Sequence, residues 1–279
     1  MPALSPAELY LDLLKKCLIR SIFPDEYRPL LQPGSGQSKW QLARHAYLGS
    51  LLARLNFGLY RKSKVDPVKR SEGRDWPPEA ETMIGLKRLD QLQACITDVL
   101  ASGVPGDLIE TGVWRGGSAI LMCAVLNAYG ETGRMVWVAD SFAGLPKPDG
   151  RYQQDRGDVH WRFHSVLAVP VEVVKANFAR YGLLTERVRF LEGWFKDTLP
   201  AAPIARLAIL RVDGDMYSST MDVLENLYPR LSPGGYAIID DYGAVPACRQ
   251  AVEDYRARNG IAEPIQRIDW TGVFWRKEG

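Results

Sequence analysis

The stretch that most constrains this chain is LAILRVDGDMYSST, residues 207–220. Its apolar run, 207–212, is short, ends on a β-branched residue and stops at a glycine flanked by two acids, the pattern of a buried strand. Asp213 and Asp215 therefore stand at a strand's carboxyl edge. A second buried run, 235–239, closes on Asp240 and Asp241. In a doubly wound sheet the carboxyl ends of neighbouring strands converge on one crevice. Carboxylates brought that close repel one another unless a proton or a cation neutralises them, and hard oxygen donors suit Mg²⁺, Ca²⁺ or Mn²⁺. The expectation is a divalent-metal site with one carboxylate to spare.

The rest of the chain supplies the sheet that such a crevice needs. Strands are expected at 107–111, 135–139, 188–191, 207–213 and 235–239, with helical periods over 82–100, 170–181, 219–228 and 245–259 between and before them. Two closing strands, 264–268 and 272–275, are separated by a short turn. Repeated β-then-α implies a mostly parallel seven-stranded sheet with helices on both faces, and the closing pair implies an antiparallel hairpin at one edge. Ahead of this domain, 81–279, residues 1–80 read as a helical extension, a lid or an oligomerisation arm. It holds an amphipathic helix over 6–20 capped by Ser5, a loop over 24–38, a second helix over 40–60, and a solvated basic connector carrying Arg61, Lys62, Lys64, Lys69 and Arg70.

Composition excludes some functions. With 46% hydrophobic residues in 279 the chain can bury one large core, and a net charge of +2 makes no electrostatic case for nucleic acid as the main partner. Cys17, Cys95, Cys123 and Cys248 are scattered through apolar helical contexts, without the spacing of a zinc or redox motif, and read as reduced core residues. No run is long enough to span a membrane and the amino terminus has no secretory pattern, so a cytoplasmic enzyme of small-molecule chemistry is expected.

The turn after the first strand, ETGVWRGGS at 110–118, narrows the cofactor. Its glycines, 112, 116 and 117, lack dinucleotide spacing but let a ligand approach backbone at the head of a helix. Glu110 would repel a pyrophosphate yet accept from a cationic amino group. One strand later, Asp140 stands where an acid can take ribose hydroxyls. Together these point to S-adenosylmethionine.

At this point the sequence resembles the macrocin O-methyltransferase (TylF) family of class I S-adenosylmethionine-dependent enzymes, which have a Rossmann-like fold. The resemblance rests on YLDLLKKCL at 10–18, ETMIGLKRLDQL at 81–92, DLIETGVWRGGS at 107–118, DSFAGLP at 140–146, LEGWFKDTLP at 191–200, RVDGDMYSST at 211–220 and GGYAIIDDYG at 234–243. It implies a Mg²⁺-dependent methylation of a sugar hydroxyl on a glycosylated natural product. It further implies that Asp213, Asp240 and Asp241 hold the metal, with Asp213 also bordering the cofactor, and that Asp215 is the general base. Glu110, Gly112 and Ser118 would hold the methionine part of S-adenosylmethionine, Asp140 and Ser141 its ribose, and Glu192, Gly193 and Trp194 its adenine, while Thr82 and Met83 close over the methionine end. A homodimer or higher homo-oligomer is expected.

The chemistry stands apart from the resemblance. Methyl transfer from a sulfonium needs the acceptor oxygen held near the methyl carbon and relieved of its proton. If vicinal hydroxyls chelate Mg²⁺ the attacking one becomes more acidic, and Asp215, two residues from a ligand, can accept its proton. The competing role for Asp215 is to cap the helix that follows. His160 and His164 lie in a polar, aromatic stretch that can cover the acceptor; His160 reads as a substrate contact and His164 as an exposed loop residue. Tyr217 and Tyr242 flank the carboxylates and could touch the acceptor ring. A catechol-type O-methyltransferase, acting on a vicinal phenol, is the alternative; it would favour a lysine base, which Asp215-Met216-Tyr217 does not offer.

Overall fold

A computed structural model describes residues 4–29, 52, 54–148 and 150–279. Two short strands, β1 (Asp25–Pro29) and β2 (Tyr60–Lys64), pair antiparallel as a separate ribbon. The remaining seven are β3 (Asp107–Thr111), β4 (Val136–Asp140), β5 (Val188–Glu192), β6 (Leu207–Val212), β7 (Leu231–Ile239), β8 (Gln266–Arg267) and β9 (Val273–Arg276). They form one sheet in the order β5-β4-β3-β6-β7-β9-β8. Strands β3 to β7 run parallel, β9 runs antiparallel to β7, and β8 antiparallel to β9. This is the expected Rossmann-like sheet with its edge hairpin. Chain order steps from β3 outward to β5 and resumes on the other side of β3 with β6, so the switch point, where ligands bind in such sheets, lies between β3 and β6.

Every residue of β6 is buried, because helices cover both faces of the sheet. Helices Gly85–Ala101, Gly117–Ala128 and Val171–Arg180 place Leu89, Ile120 and Phe178 in the core of one face. Helices Tyr217–Leu227 and Pro246–Arg258 place Leu224 and Val252 in the core of the other. The amino-terminal helix, Pro6–Leu18, starts with a capping box between Ser5 and Glu8. It lays Leu11, Leu14 and Leu18 into the first of these cores, against Gly117–Ala128.

Ahead of the domain the structure departs from expectation. The helix expected over 40–60 lies mostly outside the described residues; at its end Leu55 is exposed and β2 begins at Tyr60. The ribbon falls in segments that read as loop and connector because β2, Tyr-Arg-Lys-Ser-Lys, shows no apolar face. Charge pairing accompanies its backbone ladder, with both Lys62 and Lys64 on Asp25. Arg70, expected in solvent, is buried: it donates to the Ile19 carbonyl at 2.8 Å and pairs with Glu26 and Asp75. A guanidinium whose donors are matched in this way can leave water without an unpaired charge. Among the described residues no helix is long and apolar enough to cross a membrane, and all four cysteines are free.

Candidate active site

A cavity of about 350 Å³ opens at the carboxyl ends of the strands. Glu110, Gly112 and Ser118 line it from the glycine-rich turn, Asp140 and Ser141 from the end of β4, and Asp213, Asp215, Asp240 and Asp241 from the ends of β6 and β7. Thr82, Met83, Trp194 and His160 complete the expected residues in its wall.

The glycine-rich half is built on close backbone approach. Gly112 has φ +84°, and a Cβ there would sit 1.7 Å from the Asp213 carbonyl oxygen, so only glycine lets the ends of β3 and β6 meet. A Cβ on Gly117 would stand 2.7 Å from the Glu81 carbonyl, which accepts from the Gly117 N–H at 3.0 Å. Thr82 and Met83 are thereby held over the head of that helix; they precede the helix expected from 82, which begins at Gly85. Asp140 fastens the turn, accepting from Val113 N at 2.7 Å and from Phe142 N at 2.8 Å. The Ser141 hydroxyl lies 3.4 Å from Asp140 Oδ1, so acid and hydroxyl stand together at the end of β4.

The acid half is organised by a residue that its apolar-looking run conceals, Arg211. In register Arg211 faces Glu110 of β3 on one side and Ile238 of β7 on the other. Side chains alternate along a strand, so Glu110, Arg211, Asp213 and, two beyond Ile238, Asp240 all fall on one face. The Arg211 Nη1 donates to Glu110 Oε1 and to Asp213 Oδ2, each at 2.8 Å, and Nη2 pairs with Asp240. Arg88, from helix Gly85–Ala101, takes the other oxygen of Asp240 and also pairs with Asp269.

Among the described residues, the acids whose oxygens converge within 4.8 Å of one another are Asp213, Asp215 and Asp241. Asp240, expected as a metal ligand, differs in having both oxygens against guanidinium groups. Burial raises the Asp215 carboxyl above its usual range, the charge of Asp213 adds to this and His160 opposes it. Asp241 is pushed up by burial and then by Asp215, Asp213 and Asp240, and its Oδ2 is buried with no hydrogen-bond partner. Repulsive oxygens with an orphan among them fit a hard divalent cation and, lacking nitrogen or sulfur, do not suit zinc.

Asp215 has φ +55°, a conformation costly for a residue with a side chain. It does not cap the following helix. Asp155, from a 3-10 turn at Gln153–Asp155, accepts from Tyr217 N at 2.9 Å and Ser218 N at 3.0 Å, and so satisfies the buried donors that a cap would serve. Asp215 is left facing the cavity.

The family model of the macrocin O-methyltransferases (TylF) matches residues 7–277. The chain belongs to this family. It is an S-adenosylmethionine-dependent O-methyltransferase. A relative from Streptomyces olivaceus, 8-demethyl-8-(2,3-dimethoxy-alpha-L-rhamnosyl)-tetracenomycin-C 4'-O-methyltransferase, is 55% identical over 96% of this chain and 92% of its own. Demethyldecarbamoylnovobiocin O-methyltransferase from Streptomyces niveus is 48% identical over 98% and 95%. The solved structure of the O-methyltransferase NovP superposes with a TM-score of 0.83 at 45% identity, covering 98% of this chain and all of that one, 100%.

Within this TylF-family fold, four expected site residues stand apart from the cavity lining. Tyr217 turns into the core, its ring 4.9 Å from Tyr152 and its hydroxyl donating to Asp254 at 2.9 Å, because the first turn of its helix is buried. Tyr242 donates to Glu253 at 2.9 Å and lies under the Arg249 guanidinium, drawn to the next helix. Glu192 belongs to β5 and Gly193 donates its N–H to the Asp140 carbonyl, so at this strand end the cavity is lined by Trp194 and Phe195 instead. His160 lines the cavity with its Nδ1 3.0 Å from Asp158, while the side chain of His164 lies outside the described residues. Arg211 and Arg88, which hold the acids of the site, and Asp155, which holds the turn after Asp215, were missed by the sequence reading. A charged residue inside an otherwise apolar strand was the available signal for Arg211; the other two become visible only through contacts distant in sequence.

Proposed function

We propose that this enzyme moves a methyl group from S-adenosylmethionine to a sugar hydroxyl of a glycosylated natural product, with Mg²⁺ held in the acid cluster. The observation that carries this is the convergence of Asp213, Asp215 and Asp241 in the same cavity as the glycine-rich turn. The names of the relatives support the acceptor class, since the Streptomyces olivaceus enzyme is named for a rhamnosyl tetracenomycin.

Glu110, with one buried oxygen still unpaired, would receive the amino group of the cofactor, Gly112 and Ser118 would let its methionine end lie against backbone, and Thr82 and Met83 would cover it. Asp140 and Ser141 would take the ribose, and Trp194 the adenine. Asp213 and Asp241 would hold the cation, and Asp240 can join them through a lone pair left over from its guanidinium partners. What Mg²⁺ would supply is acidity, since vicinal hydroxyls that chelate it lose a proton more readily. In the transfer the carbon–sulfur bond breaks as the carbon–oxygen bond forms, and the hydroxyl proton goes to Asp215, whose raised affinity for protons suits a base working near neutrality. His160, beside Asp215, would touch the acceptor.

The test is incubation with S-adenosylmethionine and a panel of glycosylated natural products beside their aglycones, read by mass spectrometry. A gain of one methyl on the glycosides, stopped by a chelator and restored by Mg²⁺, is expected. Methylation of aglycones alone would overturn the acceptor class, and turnover indifferent to chelation would overturn the role of the ion.

A further inference from the structure

We propose that Arg211 is a positioning residue that couples the cofactor end of the cavity to the cation end, so that each ligand weakens the binding of the other. This rests on the reading above, in which Glu110 receives the amino group of the cofactor and the acid cluster receives the cation.

The geometry is that of one buried guanidinium gripped by three acids at once. Its Nη1 is shared between Glu110 and Asp213 at 2.8 Å each, its Nη2 lies on Asp240, and the side chain is 2% exposed, so water cannot substitute for a lost partner. Guanidinium donors sit in a rigid planar fork, and the group cannot follow one acid without loosening its hold on another. Glu110 Oε2 is buried and unpaired, the place left for a cationic ligand group. An ammonium drawn there takes over part of the charge on Glu110, and Arg211 then holds Asp213 more tightly against a cation. A cation on Asp213 shifts Arg211 toward Glu110, against the ammonium. Linkage makes the two effects equal.

Repulsion between the two cations across the cavity would give the same sign, and replacing Arg211 separates the cases. Arg211→Lys keeps the charge but cannot bridge three acids, so coupling through the fork disappears while through-space repulsion persists.

The experiment measures Mn²⁺ affinity by the paramagnetic resonance of free Mn²⁺, with and without saturating S-adenosylhomocysteine, on the full chain. In the wild type the product should weaken Mn²⁺ binding about fivefold to tenfold, and in Arg211→Lys less than about twofold. Circular dichroism checks that the variant is folded. Should it not fold, Glu110→Gln leaves Arg211 in place and should weaken Mn²⁺ binding several-fold although Glu110 is not one of the three converging acids. Undiminished coupling in Arg211→Lys, or unchanged Mn²⁺ affinity in Glu110→Gln, overturns the proposal. Wild-type protein that binds both ligands without mutual effect also overturns it, while leaving the function reading intact. Wild-type protein that binds no Mn²⁺ overturns both.

Discussion

The two halves of the cavity solve the burial of acids in opposite ways. On the glycine-rich side Asp140 is fastened from within, its oxygens receiving the Val113 and Phe142 amides, and the turn it holds is fixed by glycines that admit no side chain. On the other side Asp213, Asp215 and Asp241 face one another, one of their oxygens is orphaned, and Asp215 is held at a positive φ. Apart from Glu110, with its own unpaired oxygen, the first half is preorganised for a ligand that needs shape. The second is poised for one that brings charge, and carboxylates in such a setting are costly until it arrives.

The sharpest way to break this contrast is Asp215→Asn, which keeps shape and removes the proposed base. Turnover should fall by about 10²–10⁴-fold in single-turnover assays, with S-adenosylhomocysteine affinity unchanged; equal loss of both would mean that Asp215 belongs to the glycine-rich half. Next comes Gly112→Ala. A Cβ 1.7 Å from a carbonyl oxygen must force β3 and β6 apart, costing about 3 kcal/mol or more in urea unfolding and abolishing cofactor binding. Asp155→Ala should cost about 1–2 kcal/mol, because the Tyr217 and Ser218 amides lose their acceptor, and should lower kcat by loosening the segment that presents Asp215.

Asp241→Asn tests the acid half from its other side. With one repelling charge gone, the cation-free protein should be more stable by about 1 kcal/mol, while the rise in Tm on adding Mn²⁺ disappears. A variant less stable than wild type without any cation would show that Asp241 is satisfied structurally.

The same contrast explains how much was legible in the sequence. Strands β3 to β7 were, because short apolar runs end in acids or glycines, and both the sheet and the placement of Asp213, Asp215, Asp240 and Asp241 on one cavity follow from topology alone. The guanidinium partners were not. Arg211 serves acids from neighbouring strands and Arg88 reaches Asp240 across 152 positions, so no local period records either. The ribbon of β1 and β2 was hidden for a related reason, its pairing carried by backbone and by Asp25 with two lysines. Asp215 was legible as an acid, while its freedom from capping depended on Asp155, 62 positions from Tyr217, the nearer amide it serves.

The smallest expected effect separates neighbourhood from function. Tyr217 follows Asp215 by two positions, yet its ring packs on Tyr152 and its hydroxyl meets Asp254. Tyr217→Phe removes one partly buried hydrogen bond and should cost about 0.5–1.5 kcal/mol in chemical unfolding. Because the ring stays in place, KM for the acceptor and kcat should both stay at wild-type values. A rise in KM would return Tyr217 to the acceptor site and place the cavity wall closer to helix Tyr217–Leu227 than the ring's packing allows.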